Sequence, residues 1–397
     1  MSADTSMLFS KGGPGADPEG SRESGPRGLK SGVLPQQEIE RLLARRQIRG
    51  GVEQSQLQPA SLDLRLGRTG YRIRASFLPG ASRTVQEQID SLALHEISLE
   101  GGQVLERNCV YLIELEEILL LPDSVSAVAN PKSSTGRLDV FTRLIADRAE
   151  AFDTVPAGYR GKLYAEVSPR TFPIKVRQGS RLNQIRFRRY NSQQETHRSF
   201  RLSDRELREL DARESIVLGD AIIRDGLVVT VGLSGAPGAV VGYRAKRHTG
   251  IVDVDQIARY ELRHFWEPIV TDGTSLILEP NEFYILASRE RIRIPAEVAA
   301  EMVAFDPMMG EFRVHYAGFF DPGFGVTDEG EPGSRAVLEI RSYEVPFVLE
   351  DGQPIGRLAF ERLAEPPVRL YGAGIGSNYQ AQGLKLSKHF REPGPGL

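Results

Sequence analysis

Val104 to Ile113 reads VLERNCVYLI, and Ile277 to Leu286 reads ILEPNEFYIL. Leu105, Glu106, Asn108 and Tyr111 recur as Leu278, Glu279, Asn281 and Tyr284, each displaced by 173 residues. The same displacement carries Pro122 to Pro295, Val125 to Val298, Glu166 to Glu339, Pro173 to Pro346, Gly179 to Gly352 and Phe187 to Phe360. A displacement held from Leu105 to Phe187 marks an internal duplication, so two copies of one domain are expected. Short apolar runs around Tyr111, Leu119, Val128, Leu163 and Ile185 are separated by Gly, Pro, Asn and Asp. That texture predicts a mainly β sandwich or barrel with short helices in each copy, not βαβ units.

Residues 1–32 are rich in Gly, Pro, Ser and charge, the composition of a disordered tail. LPQQEIERLLARR predicts a short helix, with Pro35 in its first turn and Ile39, Leu42 and Leu43 on one face. Gly50 and Gly51 close it. In PASLDLRLG, Leu62, Leu64 and Leu66 alternate with Ser61, Asp63 and Arg65, the pattern of a half-buried strand. Arg201 to Ser215, RLSDRELRELDARES, reads as a polar connecting helix capped by Ser203 with Glu206 three residues on. The two copies are expected at 33–200 and 216–397.

Composition narrows the function classes. A net charge of −3 gives no global basic field for nucleic acid or an anionic membrane. The basic runs IRFRRY and YRAKRH read as solvated faces or charged edge strands. The single cysteine, Cys109, excludes an intramolecular disulfide and suits a reducing compartment. No apolar stretch reaches the ~20 residues that span a bilayer, and the first residues lack a signal pattern. A cytoplasmic location is expected. The six histidines are scattered, and no His-x-Glu or Cys-x-x-Cys pair exists. The zinc signature of common nucleobase deaminases is therefore missing, and no protein-held metal is expected.

Two stretches of the first copy carry chemistry. PKSSTGRLDVF, Pro131 to Phe141, packs Lys132, Ser133, Ser134 and Arg137 into a grip of two hydroxyls and two cations. Such a set suits a polyphosphate; a capped turn with a surface arginine is the plainer reading. GKLYAEV places Glu166 in an apolar run, where burial would raise its pKa for acid/base work. A strand glutamate facing solvent fits the local sequence equally well. Glu339 repeats Glu166, but the grip's counterpart, Phe305 to Gly310, has neither hydroxyls nor cations, so Glu339 reads as structural inheritance. Arg148 and Asp153 could orient a ligand or form a loop ion pair. Asp321, in AGFFDPGFG, is a turn former or a sugar-hydroxyl acceptor. YGAGIGSNYQAQGLKLSKHF, Tyr371 to Phe390, reads as a flexible tail or a lid over a base.

Together these stretches resemble the dCTP deaminase family, which has the trimeric dUTPase-like β fold. PASLDLRLG is similar to the family's early strand, PKSSTGRL to its Ser-Ser-x-x-Arg motif and GYRGKLYAEV to its glutamate segment. QGSRLNQIRF resembles the glycine-turn strand, AGFFDPGFG the Asp-x-Gly-Phe turn and YGAGIGSNYQAQ the closing segment. The resemblance implies two tandem dUTPase-like domains and hydrolytic cleavage of the cytosine C–N bond of dCTP, giving dUTP and ammonia. It implies Glu166 as the proton shuttle, with Ser133 and Arg137 close to the chemistry. Lys132, Ser133, Ser134, Thr135, Gly136 and Arg137 would bind the nucleotide, with Arg148 and Asp153 beside them. Tyr164, Ala165 and Glu166 would line the base pocket, and Tyr371, Asn378 and Gln382 would close over it. Asn378 stands where the family has lysine, and AFDTVPAGY departs from the family's Asp-Pro-Gly turn at Asp153. The resemblance further implies Mg²⁺ carried only on the triphosphate, no zinc, and a homo-oligomer. Two rival readings share the fold: a dUTPase or bifunctional deaminase–dUTPase, and a non-catalytic nucleotide-binding protein.

Overall fold

The computed structural model describes residues 30–191, 200–270, 274–304, 312–314, 318–326, 333–342, 344–372 and 382–391. The repeated motif has a physical reason to recur. Asn108 and Asn281 both adopt positive φ, 59° and 60°, a conformation asparagine tolerates better than most residues. Their backbone N–H groups donate to the carbonyls of Pro169 and Ser342, at 2.8 and 2.9 Å. The Tyr111 and Tyr284 hydroxyls accept from the amides of Glu106 and Glu279, at 3.1 and 2.9 Å. Each motif thus clamps the end of one strand, Arg160–Pro169 or Ser334–Ser342, and those strands carry Glu166 and Glu339.

Around each clamp the strands run in the same order. The first large sheet is Ala93–Ser98, Leu66–Ile73, Val110–Leu120, Arg160–Pro169 and Val140–Ala146, with Ile48–Arg49 paired to the third. The second is Trp266–Val270, Val240–Ala245, Phe283–Ile292, Ser334–Ser342 and Phe312–Val314. A smaller sheet accompanies each: Gly32–Val33, Asn183–Arg189, Val125–Pro131 and Thr154–Val155, then Leu227–Thr230, Pro354–Arg362, Val298–Ala304 and Phe319–Phe320. Ile113 and Ala165 of the large sheet share one buried cluster with Ala127, Ile185 and Phe187 of the small one. The fold is mainly β, each domain two sheets about a common core. The helix Asp204–Glu214 joins them; Ser203 and Glu206 form its capping box, and Leu207 and Leu210 enter the second core.

Three sequence expectations need correction. Gly32 of the expected tail already pairs with Arg189, while residues 1–29 lie outside the described residues. Ser61, Asp63 and Arg65 are buried along with the leucines. Asp63 pairs with Lys132, and Arg65 with Glu116 and Glu117, both at 3.0 Å, so the polar face meets charge rather than water. IRFRRY is no solvated face: Arg186, Arg188 and Arg189 are all buried. Arg186 pairs with Asp321 at 2.9 Å, and Arg188 with Glu361 at 2.6 Å and Glu301 at 3.0 Å, all across the domain junction. YRAKRH behaves as expected, with Arg244 and Arg247 partly or well exposed.

The junction is also apolar. Val252–Asp253 of the second domain adds in parallel to Ile174–Val176 of the first. Phe172 packs edge-on to Trp266 and Phe265, at 5.4 and 5.6 Å between ring centroids, with Phe390 beside them. Among the described residues, no helix is long and apolar enough to cross a membrane.

Candidate active site

The strand Val125–Pro131 ends at the grip, where Lys132 begins a single helical turn, Ser133–Gly136. Lys132 is fixed by donating its amide to the Leu182 carbonyl at 2.8 Å. Thr135 and Gly136 close the turn by donating their amides to the Lys132 carbonyl. This brings Lys132, Ser133, Ser134 and Arg137 onto a cavity of about 590 Å³ at the domain junction. Arg137 is 3% exposed. Its guanidinium donates to Gln382 Oε1 at 3.0 Å and to the Lys385 carbonyl at 2.9 Å.

The second domain supplies the carboxylate. Glu339 lines the cavity, 3.9 Å from Arg137 Nε. Burial pushes its carboxyl up to about 7, against the pull of the Arg137 guanidinium. A carboxyl poised there exchanges protons readily at neutral pH. Asp321 lies on the same cavity, and its own pKa is raised by burial and opposed by Arg186. It also serves the turn, since the Phe324 amide donates to its carbonyl and Gly323 follows with φ of 93°. Tyr371 and Gln382 complete the wall, with Tyr371 held by its amide to Pro322 O at 2.8 Å. Asn378 lies outside the described residues.

The two repeated glutamates lie in different surroundings. Glu166 does not line the grip's cavity. It is 1% exposed in the first domain's large sheet, opposite Leu112 and Arg143. Burial raises its pKa, opposed by a hydrogen bond from Ser76 and by Arg143. Its Oε2 has no hydrogen-bond partner among the described residues. Asp153 lies near enough to feel its charge, accepts from the Leu144 amide at 2.7 Å, and is pushed up to about 7 by burial. Arg143 is stacked between Phe141 and Phe152 at 4.1 and 4.2 Å. Phe77 and Ile89, from the stretch between Leu66–Ile73 and Ala93–Ser98, pack in one cluster with Tyr164 and Phe152. Ala165 is buried core, and Arg148 is an exposed turn residue with φ of 59°. The grip and glutamate of the first domain therefore lie in different places, and the grip's cavity joins the two domains.

Sequence reasoning missed three contributors: Glu339 as a cavity residue, Asp63 as the partner of Lys132, and Lys388 on the cavity wall. The repeat held the signal for the first. A second copy that keeps its glutamate and loses its grip needs the grip of its neighbour. Among the described residues no group of three His, Cys, Asp or Glu side chains could hold a metal ion.

Comparison with known proteins agrees with this architecture. The model of the 2′-deoxycytidine 5′-triphosphate deaminase N-terminal domain matches residues 30–191, and that of the C-terminal domain matches residues 203–390. A dCTP deaminase, dUMP-forming, of Halobacterium salinarum is 34% identical over 120 residues, 29% of this chain and 57% of the relative. One of Beutenbergia cavernae is 35% identical over 117 residues, 28% of this chain and again 57% of the relative. The chain thus spans little more than half the length of these curated relatives. A crystal structure of 2′-deoxycytidine 5′-triphosphate deaminase from Agrobacterium tumefaciens is 50% identical, with a TM-score of 0.81, over 87% of this chain and all of that one. With both halves matched in order and the solved relative covered throughout, the chain belongs to the 2′-deoxycytidine 5′-triphosphate deaminase family.

Proposed function

We propose that the chain hydrolytically deaminates dCTP, with Glu339 as the proton carrier and the grip of the first domain as the nucleotide holder. One observation carries the reading: a buried glutamate with a near-neutral pKa meets Arg137 and the two grip serines on one cavity. Ionised Glu339 takes a proton from water as the water oxygen bonds to C4 of the cytosine ring. The C4–N4 bond then breaks, the carried proton leaves with ammonia, and the ring becomes uracil. Arg137 and Ser133 are fixed dipoles that steady the developing charge, the part electrostatic preorganisation plays in place of solvent. Magnesium would arrive on the triphosphate oxygens, because Asp63 beside the grip is already paired with Lys132.

A second reading adds cleavage of the phosphate chain, giving dUMP. It is favoured by Asp321 sharing the cavity with Glu339 and by the dUMP-forming names of the relatives. Incubation with dCTP, scoring ammonia, dUTP, dUMP and pyrophosphate separately, distinguishes them. Glu339→Gln is expected to lower ammonia release by about 10²–10⁴-fold with dCTP binding retained, and Glu166→Gln to leave release within about twofold. Full turnover by the Glu339→Gln chain would end the assignment.

A further inference from the structure

The C-terminal segment places one cation with unusual firmness. Ser387 and His389 are each 2% exposed. The Ser387 hydroxyl donates to the Ser134 carbonyl at 2.7 Å. The His389 ring sits between Ser387 Oγ at 2.8 Å and the Val254 carbonyl at 2.9 Å. Lys388 lies between them, and its own carbonyl accepts from the Ala258 amide at 2.9 Å. Its backbone is therefore tied to the grip on one side and to the second domain on the other. From that position Lys388 lines the same cavity as Lys132 and Arg181.

Electrostatics gives the placement a meaning. Burial lowers the pKa of Lys388, and the positive charge of Lys132 lowers it further, with Asp63 and Asp255 opposing. Those two carboxylates are shared: Asp63 pairs with Lys132, and Asp255 with Arg177 at 3.0 Å and with the Ser180 hydroxyl at 2.7 Å. Lys132, Arg181 and Lys388 put three cationic side chains on one cavity wall, a set that suits an anion long enough to meet all three. A chain of phosphates is such an anion, and a single phosphate spans fewer of the cations.

We infer that Lys388 contacts the distal phosphates of the nucleotide together with Lys132 and Arg181, and so makes the site select polyphosphates over monophosphates. The inference rests on the nucleotide reading above and concerns the phosphate chain alone. It is tested by calorimetry on the full chain with dCTP, dCMP and inorganic tripolyphosphate, for wild type, Lys388→Ala and Lys388→Arg. Lys388→Ala is expected to weaken dCTP and tripolyphosphate by about tenfold and dCMP by less than about twofold, the scale of one charge-assisted contact. Lys388→Arg should restore most of the loss. In turnover, KM for dCTP should rise while kcat stays within about twofold. An equal loss on dCMP, or unchanged tripolyphosphate binding, overturns the inference. If wild type binds tripolyphosphate but no cytosine nucleotide, the nucleotide reading fails, while the Lys388 comparison on tripolyphosphate still decides its role.

Discussion

Glu339 answers to pH in two separable ways. As a base it must be ionised, so deamination should show an acid limb with an apparent pKa near 7, the value to which burial pushes its carboxyl. A pH–rate profile of kcat checks this, and a limb near the ordinary carboxylate value would exclude Glu339 as the base. As a buried acid it also links stability to pH. An unfolded chain releases this proton near 4.5, while the folded chain keeps it to about 7. The folded state therefore holds more protons across that window, and this group's contribution falls as pH rises from about 4.5 to about 7. Asp153 acts in the same direction from 3.8 to about 7. His389 acts oppositely: burial lowers it from 6.5 to about 4, so its contribution is lost as pH falls. The useful readout is thus a difference. Denaturant midpoints of Glu339→Gln and wild type should converge at pH 5 and separate at pH 8, with the variant more stable at pH 8. Local sequence could not choose between the two glutamates, because KLYAEV and AVLEI are both apolar runs around one carboxylate. What differs is the neighbouring domain's grip, a contact made over two hundred residues of chain from Arg137 to Glu339.

At the scale of elements, the clamp motif was the most legible feature, since its turn and its tyrosine–amide bond are local and recur intact. IRFRRY was the least legible. Its partners Glu301, Asp321 and Glu361 lie in the other domain, so nothing near the run announces that it is buried. The closing segment falls between. Its sequence suggests a flexible lid, and Gln382 does reach Arg137, but its described end is pinned rather than free. Phe390 is 5% exposed and packs on Trp266 at 5.8 Å and Phe265 at 5.3 Å. Phe390→Ala should destabilise the chain by about 3–5 kcal/mol through the lost burial and the cavity left. Because the pinned end also holds Ser134 and Arg137, KM for dCTP should rise in parallel. A variant with lowered melting temperature and unchanged KM would separate the segment's packing from its service to the site.

The whole molecule brings residues of both domains onto one cavity at their junction. The grip, Glu339 and the described part of the closing segment that line this cavity all come from a single chain. The buried arginines of the junction hold its two halves in register. Arg188→Met would leave Glu361, 0% exposed, without its 2.6 Å partner and, among the described residues, with only Arg186 and Arg201 at 3.9 Å. The loss should approach that of a broken buried pair, about 3–5 kcal/mol, read as a lowered denaturant midpoint. The first domain's own glutamate does not line this cavity. It is buried beside Arg143, which is stacked between Phe141 and Phe152, and it hydrogen-bonds with Ser76. On the proposed reading, duplication has divided the labour, with one copy giving its grip and the other its carboxylate. Calorimetric titration of the Glu339→Gln chain, which should bind dCTP without consuming it, is expected to saturate at one nucleotide per chain. Any homo-oligomer should leave that ratio unchanged, because each added chain brings one grip and one open carboxylate. A ratio of two would mean that the stretch over Glu166 opens and that another phosphate holder serves it. The Glu339→Gln chain would then keep some ammonia release that adding Glu166→Gln abolishes, whereas here Glu166→Gln should leave both ratio and turnover in place.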